Sequence, residues 1–315
     1  MNTESNFIKA SIIIVSYNSS KFIFDCINSI KNQKYPNYEI LVVDNASSDN
    51  SVFIVKENFP EVRIHKSSRN LGFAGAVNLG VSLSNGDIIV LLNPDVVVEE
   101  NWLLTLTEAF QNEQVGIVGS IILDSNQSFI QHAGAVIHKN GITEHIKLSL
   151  NEVSLTDSEK LLEKIKEKIK NEFKKIDIDY VTGASIAIRR ILWERLGGLD
   201  EKYFPGYFEE TDFCIKSKKI GYKVELEPKS VCIHKQASST GLFSSTFYYF
   251  YHKNRIRFIL KNYNFKKFIH DFLPSEIDWI RRKRISRENI PLLKAYLINI
   301  VNFFPILFSR KGNIL

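Results

Sequence analysis

Four places in this chain put carboxylates or an imidazole where chemistry is done. The apolar run in YEILVVDNASSDNS (38–51) stops at Asp44-Asn45, and that in GDIIVLLNPD (86–95) stops at Asn93-Pro94-Asp95. Glu209-Glu210-Thr211-Asp212 crowds three acids into four residues, and SVCIHKQAS (230–238) carries His234. A nucleotide diphosphate needs a carboxylate near its base or ribose and a divalent cation on its phosphates. That cation also offsets negative charge as a diphosphate departs. Asp95 and His234 offer an oxygen and an imidazole, a donor set that suits magnesium or manganese. A hydroxyl nucleophile further requires a general base, which any acid of 209–212 can supply. Mutual repulsion in that cluster raises the proton affinity of at least one member.

The elements that must position these groups alternate. KASIIIVSYN (9–18), 38–44, EVRIHKSS (61–68), 86–92 and VGIVGSIIL (115–123) have the apolar density of buried strands, separated by helical patterns at 20–33, 69–84 and 100–111. Strand–helix alternation predicts a Rossmann-like open sheet, in which ligands bind beyond the carboxyl ends of the strands. Asp44, Asp95 and His234 then share one edge. Residues 156–176 interrupt the pattern with an amphipathic helix, its stripe read as Leu162, Ile165, Ile169, Phe173 and Ile176, with Thr156 and Glu159 as a capping box. The segment 209–220 reads as a helix with an acidic first turn inside a loop over 196–228, after which 230–238 places His234 at a strand end. His132, His138 and His145 fall in a hairpin and are expected to be solvated.

A hydrophobic content of 44% against 24% charged residues fits a folded globular chain rather than a disordered one. Cys26, Cys214 and Cys232 lack metal-ligand spacing, so three buried thiols are expected, as in a reducing cytosol. The polar stretch before the first strand has no leader pattern. Charge is uneven: residues 247–315 hold 14 Lys/Arg and 4 Asp/Glu within a chain of net +6. An anionic surface is therefore expected to meet the tail. FYYFYHKNRIRFILKNY (247–263) mixes rings with bases, and the run Arg281–Arg284 precedes the apolar segment 290–308. That segment is read as an in-plane interfacial helix, with a core or dimer helix and then a spanning helix as alternatives. Bases beside long aliphatic runs suit a bilayer better than nucleic acid, so no nucleic-acid partner is expected.

Eight pieces in order resemble the inverting, GT-A-fold family 2-type glycosyltransferases of the rhamnosyltransferase-like kind, which build bacterial surface polysaccharides such as O-antigen and capsule. They are SIIIVSYN (11–18), VVDNASSDNS (42–51), RNLGFAGAVNLG (69–80), LLNPD (91–95), VTGASIAIRR (181–190), LGGLDEKYFPGYFEETDFCIK (196–216), VCIHKQAS (231–238) and YYFYHKNRIRFIL (248–260). The resemblance implies an α/β GT-A catalytic domain over 1–242, with 156–176 inserted, and a helical C-terminal region over 243–315. It also implies that Ser16, Tyr17, Asn18, Asp44 and Asn45 line the nucleoside pocket. Gly72, Phe73 and Asn78 then flank the ribose and donor sugar. Asp95 stands at the family's metal-binding DxD carboxylate, with Asn93 in place of the first Asp, and His234 completes the metal site. Glu210 becomes the base, with Glu209 and Asp212 supporting it or the acceptor.

The chain departs from the family's usual Gly-Gly-Asn-Asn loop with Gly75-Ala76-Val77-Asn78, and Glu210 replaces an Asp. The implied reaction moves a sugar from dTDP-rhamnose or a UDP-hexose to a lipid-linked or polysaccharide hydroxyl at the inner membrane face. A homodimer through the C-terminal helices is a further expectation. The rival readings are a nucleotidyltransferase, whose basic glycine-rich loop is missing at 16–21, and a catalytically silent nucleotide-sugar or glycan-binding subunit.

Overall fold

A computed structural model describes residues 7–151, 153–173, 175–235, 244–282 and 287–309. Lys283 and Arg284 of the expected basic run, and residues 236–238 of the His234 motif, lie outside the described residues. The first half alternates as its pattern predicts: β1 (Ala10–Ser16), α1 (Ile23–Lys31), β2 (Tyr38–Asp44), α2 (Ser51–Asn58), β3 (Arg63–Lys66), α3 (Gly72–Ser82) and β4 (Ile88–Leu92). Then follow β5 (Val96–Val98), α4 (Trp102–Glu108), β6 (Val115–Leu123), β7 (Phe129–His132), β8 (Ala135–Ile137), β9 (Thr143–His145) and β10 (Leu148–Ser149). After these come α5 (Ser158–Phe173), β11 (Ser185–Arg189), α6 (Arg190–Leu196), α7 (Glu209–Lys219) and β12 (Lys223–His234).

Strands β3, β2, β1 and β4 are parallel, β11 lies antiparallel between β4 and β6, and β12 runs parallel to β6. Ile88–Leu92 is buried at all five positions, as an uninterrupted apolar run in a two-sided sheet must be. Its alternation feeds two cores. Ile89 and Leu91 join Ile13 and Val43 on one side, while Ile88, Val90 and Leu92 join Ile12, Ile14 and Val42 on the other. The register sets the edge that matters. Ser16 pairs with Asp44 and Ile14 with Leu92, so Asn93-Pro94-Asp95 leaves the sheet level with Val15 and Ser16.

Strand β12 is longer than the sequence suggested. Residues 223–228, expected in a loop, extend β6, and the register slips between Glu227 and Val231, around Pro228. Proline within a sheet is confined to such irregularities. Helix α5 packs on the molecule itself through Leu161, Ile165 and Ile169, with Phe173 partly buried against the same core, so Leu161 takes the place expected of Leu162. It stops at Phe173, which leaves Ile176 96% exposed, and Asp157, not Thr156, accepts from the Lys160 N–H at its start (3.1 Å). The three cysteines are buried thiols.

The C-terminal helices are α8 (Ser245–Asn262), α9 (Phe265–Lys267), α10 (Leu273–Arg282), α11 (Asn289–Val301) and α12 (Phe303–Phe308). Ile256, Phe258, Ile259 and Leu260 of α8 belong to the same core as Ile13 and Leu91, so the packing continues across 242/243. Arg255, fully buried, reaches Glu276 of α10 through both Nη atoms (2.7 and 2.5 Å) and the Asn140 carbonyl (2.6 Å). Segment 290–308 divides at Asn302, and no helix of the described residues is long and apolar enough to cross a membrane.

Candidate active site

At the carboxyl ends of β1 and β2, the chain builds a buried acceptor surface. The loop after β1 is clipped to the loop after β2: the Asn18 N–H meets Ser47 Oγ (2.9 Å), the Ser48 N–H meets Asn18 Oδ1 (2.9 Å) and the Ser20 N–H meets Asp49 Oδ2 (2.9 Å). Asn18 itself takes a left-handed φ of 53°, which asparagine tolerates better than most residues. Asp44 is fully buried; its Oδ2 accepts a long bond from the Ser47 N–H (3.4 Å), while Oδ1 has no hydrogen-bond partner among the described residues. Ser16 Oγ, its register neighbour, is also buried and unpartnered. Two adjacent orphaned polar atoms at a strand edge call for a ligand or water. Tyr17 stands beside them, 42% exposed.

The pairing of β12 with β5 brings His234 opposite Val96, next to Asp95. His234 Nε2 and Asp95 Oδ2 lie 3.2 Å apart, and His234 Nδ1 is 3.3 Å from Gln131 Oε1 on β7. With Nδ1–H donated to that amide oxygen, Nε2 is turned toward the Asp95 carboxylate, and the two present a nitrogen and an oxygen to a cation. Among the described residues no group of three or more His, Cys, Asp and Glu side chains gathers at a metal position. Asp95 and His234 could supply two ligands to a magnesium or manganese ion, whose remaining positions the oxygens of a diphosphate and water would suit. Asn93 flanks this pair: its N–H donates to the Ala184 carbonyl (3.0 Å).

The third component is the start of α7. Tyr207 and Phe208 both take φ of 76°, a left-handed conformation costly for large side chains. Asn254 of α8 holds that turn, its amide shared among the carbonyls of Tyr203 (2.5 Å), Gly206 (2.7 Å) and Tyr207 (3.1 Å). Gly72, at φ 72°, lets α3 begin against Phe204 and Pro205, where a Cβ would come within 2.7 Å of the Phe204 ring. The Phe73 N–H donates to the Pro205 carbonyl (2.8 Å), and the Phe73 ring packs over Gly183 beside Glu210.

Glu209 is buried and Glu210 half-buried, each with an Oε2 that makes no hydrogen bond among the described residues. Burial, and then the charge of Glu210, lifts the Glu209 carboxyl well above its usual range. Burial also raises Glu210, opposed by its backbone hydrogen bonds, among them those to Gly183 and Thr211. Gly183 precedes Ala184, whose carbonyl meets Asn93, so the candidate base and the Asn-Pro-Asp turn border the same short segment.

Three expected site residues are occupied elsewhere. Asp212 is buried in an ion network: Oδ2 meets Lys216 (2.8 Å) and Lys261 (2.9 Å), and Oδ1 accepts from Asn262 (2.6 Å). Burial opposes its charge, yet Lys261 and Lys216 hold its carboxyl below the ordinary range, unsuited to a base. Asn78 clips α3 to the following loop by donating to Leu199 O (2.9 Å) and Glu201 Oε1 (3.0 Å) and accepting from the Leu199 N–H (3.0 Å). Asn45 bridges β2 to α3 through Asn70 Oδ1, Gly72 O and the Leu71 N–H (3.0, 3.2 and 2.8 Å). It shapes the pocket wall through these bonds.

His132, expected in solvent, is buried; its Nε2 accepts from the Thr182 N–H (3.3 Å) and its ring lies 4.7 Å from that of His145. Burial, with Lys147 and His234 nearby, lowers His145 to about 4, and burial, with His145 beside it, holds His132 well below the ordinary imidazole range, so both rings are neutral near pH 7. Gln131 and Asn254 were missed altogether. The asparagine sat inside a recognised aromatic-basic motif, and Gln131 carried no local signal.

A mixed sheet flanked by helices, with parallel strands that end at one edge, is the GT-A architecture. The chain of GalNAc-T7 crystallised with UDP, GalNAc and Mn2+ superimposes with a TM-score of 0.64 at 15% identity, covering 96% of this chain and 59% of that one. The chain belongs to glycosyl transferase family 2, whose model matches residues 11–197. It is similar to the O-antigen biosynthesis protein RfbC of Myxococcus xanthus, 26% identical over 73% of this chain and 18% of that protein. It is also similar to the low-salt glycan biosynthesis hexosyltransferase Agl10 of Haloferax volcanii, 26% identical over 82% of this chain and 77% of that protein. The chain spans only 18% to 37% of the length of the first curated relatives it matches.

Proposed function

We propose that the protein is an inverting glycosyltransferase that moves a sugar from a nucleotide diphosphate to a hydroxyl of a lipid-linked or polysaccharide glycan. The donor is dTDP-rhamnose or a UDP-hexose, and the work is done at the inner face of the cell membrane. The observation that carries this reading is the Asp95–His234 pair at the sheet edge, 3.2 Å apart. The orphaned Asp44 Oδ1 and Ser16 Oγ on the neighbouring strand ends, with Tyr17 alongside, suit the base and ribose of the donor. Asn18 shapes that loop, and Gly72 and Phe73 flank the sugar on the side of Glu210.

In this reading the acceptor hydroxyl gives its proton to the unpartnered oxygen of Glu210 as its oxygen bonds the anomeric carbon. The bond from that carbon to the diphosphate oxygen breaks on the opposite face, so configuration inverts in one displacement. A magnesium or manganese ion held by Asp95 and His234 would offset the charge of the leaving diphosphate. Glu209, protonated first of the pair, supports Glu210 without competing for the acceptor proton.

The reading is tested by screening nucleotide sugars for metal-dependent thermal stabilisation, which grows with ligand excess over its Kd, and then measuring nucleoside diphosphate release with glycan acceptors. Asp95→Ala should abolish both. Stabilisation of the wild type by a donor with manganese, but no turnover with any acceptor, would favour a silent binding subunit instead.

A further inference from the structure

Helices α11 and α12 carry an apolar face that the other described residues leave exposed. Ile290, Leu293, Leu297, Ile300, Phe304 and Phe308 are each 55–70% exposed. At 3.6 residues per turn Ile290, Leu293, Leu297 and Ile300 of α11 fall within roughly 80° of one another, a stripe about 15 Å long, and Phe304 and Phe308 stand four residues apart on α12 beyond Asn302. The opposite side, with Pro291, Leu292, Ala295, Asn299 and Ile306, is buried against the molecule. An apolar area of this extent at the surface of a folded chain marks a docking site.

Its chemistry selects the occupant. Arg287 and Lys294 lie on one flank of the stripe and, with Tyr249 of α8, line a groove of about 1000 Å³ that Ile290, Leu297 and Val301 complete. Glu288, the acid next to Arg287, turns inward to His252 of α8. The 14 bases and 4 acids of residues 247–315 reinforce the sign. A second copy docking through the same face would set these bases against their own equivalents. An anionic bilayer meets both needs, because lipid tails take the stripe and headgroup phosphates take Arg287 and Lys294. None of the described helices can cross the membrane, so the stripe would lie in its plane.

We infer that α11–α12 is an in-plane membrane anchor that binds anionic lipid through this stripe and its basic flank. The inference goes beyond the transfer reaction and does not depend on which sugar is moved.

Flotation of the full chain with vesicles of phosphatidylcholine plus phosphatidylglycerol, against phosphatidylcholine alone, tests it. Binding should require phosphatidylglycerol and weaken with salt. Arg287→Gln and Lys294→Gln should each lower partitioning roughly fivefold, and the double variant Leu297→Ser/Ile300→Ser roughly tenfold or more. All three alter exposed groups, so unchanged melting curves would assign the loss to the face and not to unfolding. Equal binding to both vesicle types overturns the proposal, as does no binding to either. A dimer in sedimentation that Leu297→Ser/Ile300→Ser dissolves, without vesicle binding by the wild type, would assign the face to self-association and overturn it too.

Discussion

Replacing Glu210 by Gln tests the catalytic reading most directly, because the change removes a base while leaving an amide oxygen to accept the Gly183 N–H that Glu210 now meets. A positioned general base contributes roughly 10²–10⁴-fold, equivalent to about 3–5 kcal/mol of barrier. Glu210→Gln should therefore lower kcat within that range while donor affinity, set on the strands carrying Asp44, Asp95 and His234, stays unchanged. The neighbouring acid supplies the control. Burial, then the Glu210 charge, keeps Glu209 protonated well above the usual carboxylate range, so Glu209→Gln replaces one neutral group by another and should retain most turnover.

The pH dependence follows with a definite sign. Glu210 must be ionised to act, and burial raises its proton affinity, so kcat/KM should fall on the acid side at a pH above the ordinary carboxylate value of about 4.3. Stability moves the other way. A carboxyl whose folded affinity is raised contributes stability below its unfolded pKa and loses it as pH climbs through the folded value. Glu209→Gln should accordingly melt higher than the wild type, by a margin that widens as pH rises. The assay is nucleoside diphosphate release at saturating acceptor across pH, with a donor-only blank. Turnover retained by Glu210→Gln but lost by Glu209→Gln would reverse the assignment, and turnover retained by both would refute a carboxylate base at this helix.

Gln131 fixes the His234 ring, so Gln131→Met should weaken manganese affinity roughly 10–100-fold while Gln131→Glu, which still accepts at Nδ1, keeps it; Mn2+ titration followed by electron paramagnetic resonance reads this without turnover. Asn254→Leu removes the amide that holds the Tyr203–Tyr207 turn, and kcat should drop about tenfold or more as the left-handed pair relaxes by ~1–3 kcal/mol, with the nucleotide-dependent melting shift intact. Arg255→Met strands the buried Glu276 and should cost about 3–5 kcal/mol in urea unfolding; adding Glu276→Met should restore most of it, and a double variant as weak as the single one would show that the pair is worth more than its packing.

What was legible in the sequence was whatever depended on neighbours in the chain. Ile88–Leu92 announced a two-sided strand because no polar residue interrupts it, and its end fixed Asp95. Asp44 and His234 were found in the same way, as polar residues where apolar runs stop. The failures involve partners far apart in sequence. Asp212 looked like a third acid of the cluster because Lys261 lies 49 residues away on α8, where no local pattern announces an ion pair. Asn78 looked like a sugar contact because its carbonyl and N–H partner, Leu199, is 121 residues distant. His132 was placed in solvent because a short hairpin normally is, whereas β7 joins the main sheet beside β6. The segment 223–228, read as part of a loop over 196–228, alternates lysine and glutamate with apolar residues before Pro228, the pattern of a half-buried strand, and it pairs with the buried β6.

Helix α8 links the two halves of the functional reading. One set of its side chains manages the segment that presents the base: Asn254 holds the turn before Glu209, Arg257 reaches Asp200 (3.0 Å), and Lys261 bridges Asp200 (2.6 Å) to Asp212 (2.9 Å). Another set supports α11, through His252 on Glu288 and the Lys253 carbonyl on the Asn299 amide (2.9 Å). Burying Arg255 and Lys261 is expensive unless each charge is met, and here each is met by carboxylates from other elements, which ties the position of α8 to both partners. The base and the exposed stripe are therefore held by one helix. A surface that seats the stripe fixes the orientation of Glu210 relative to that surface, and an acceptor anchored in the same surface would approach from a constant direction.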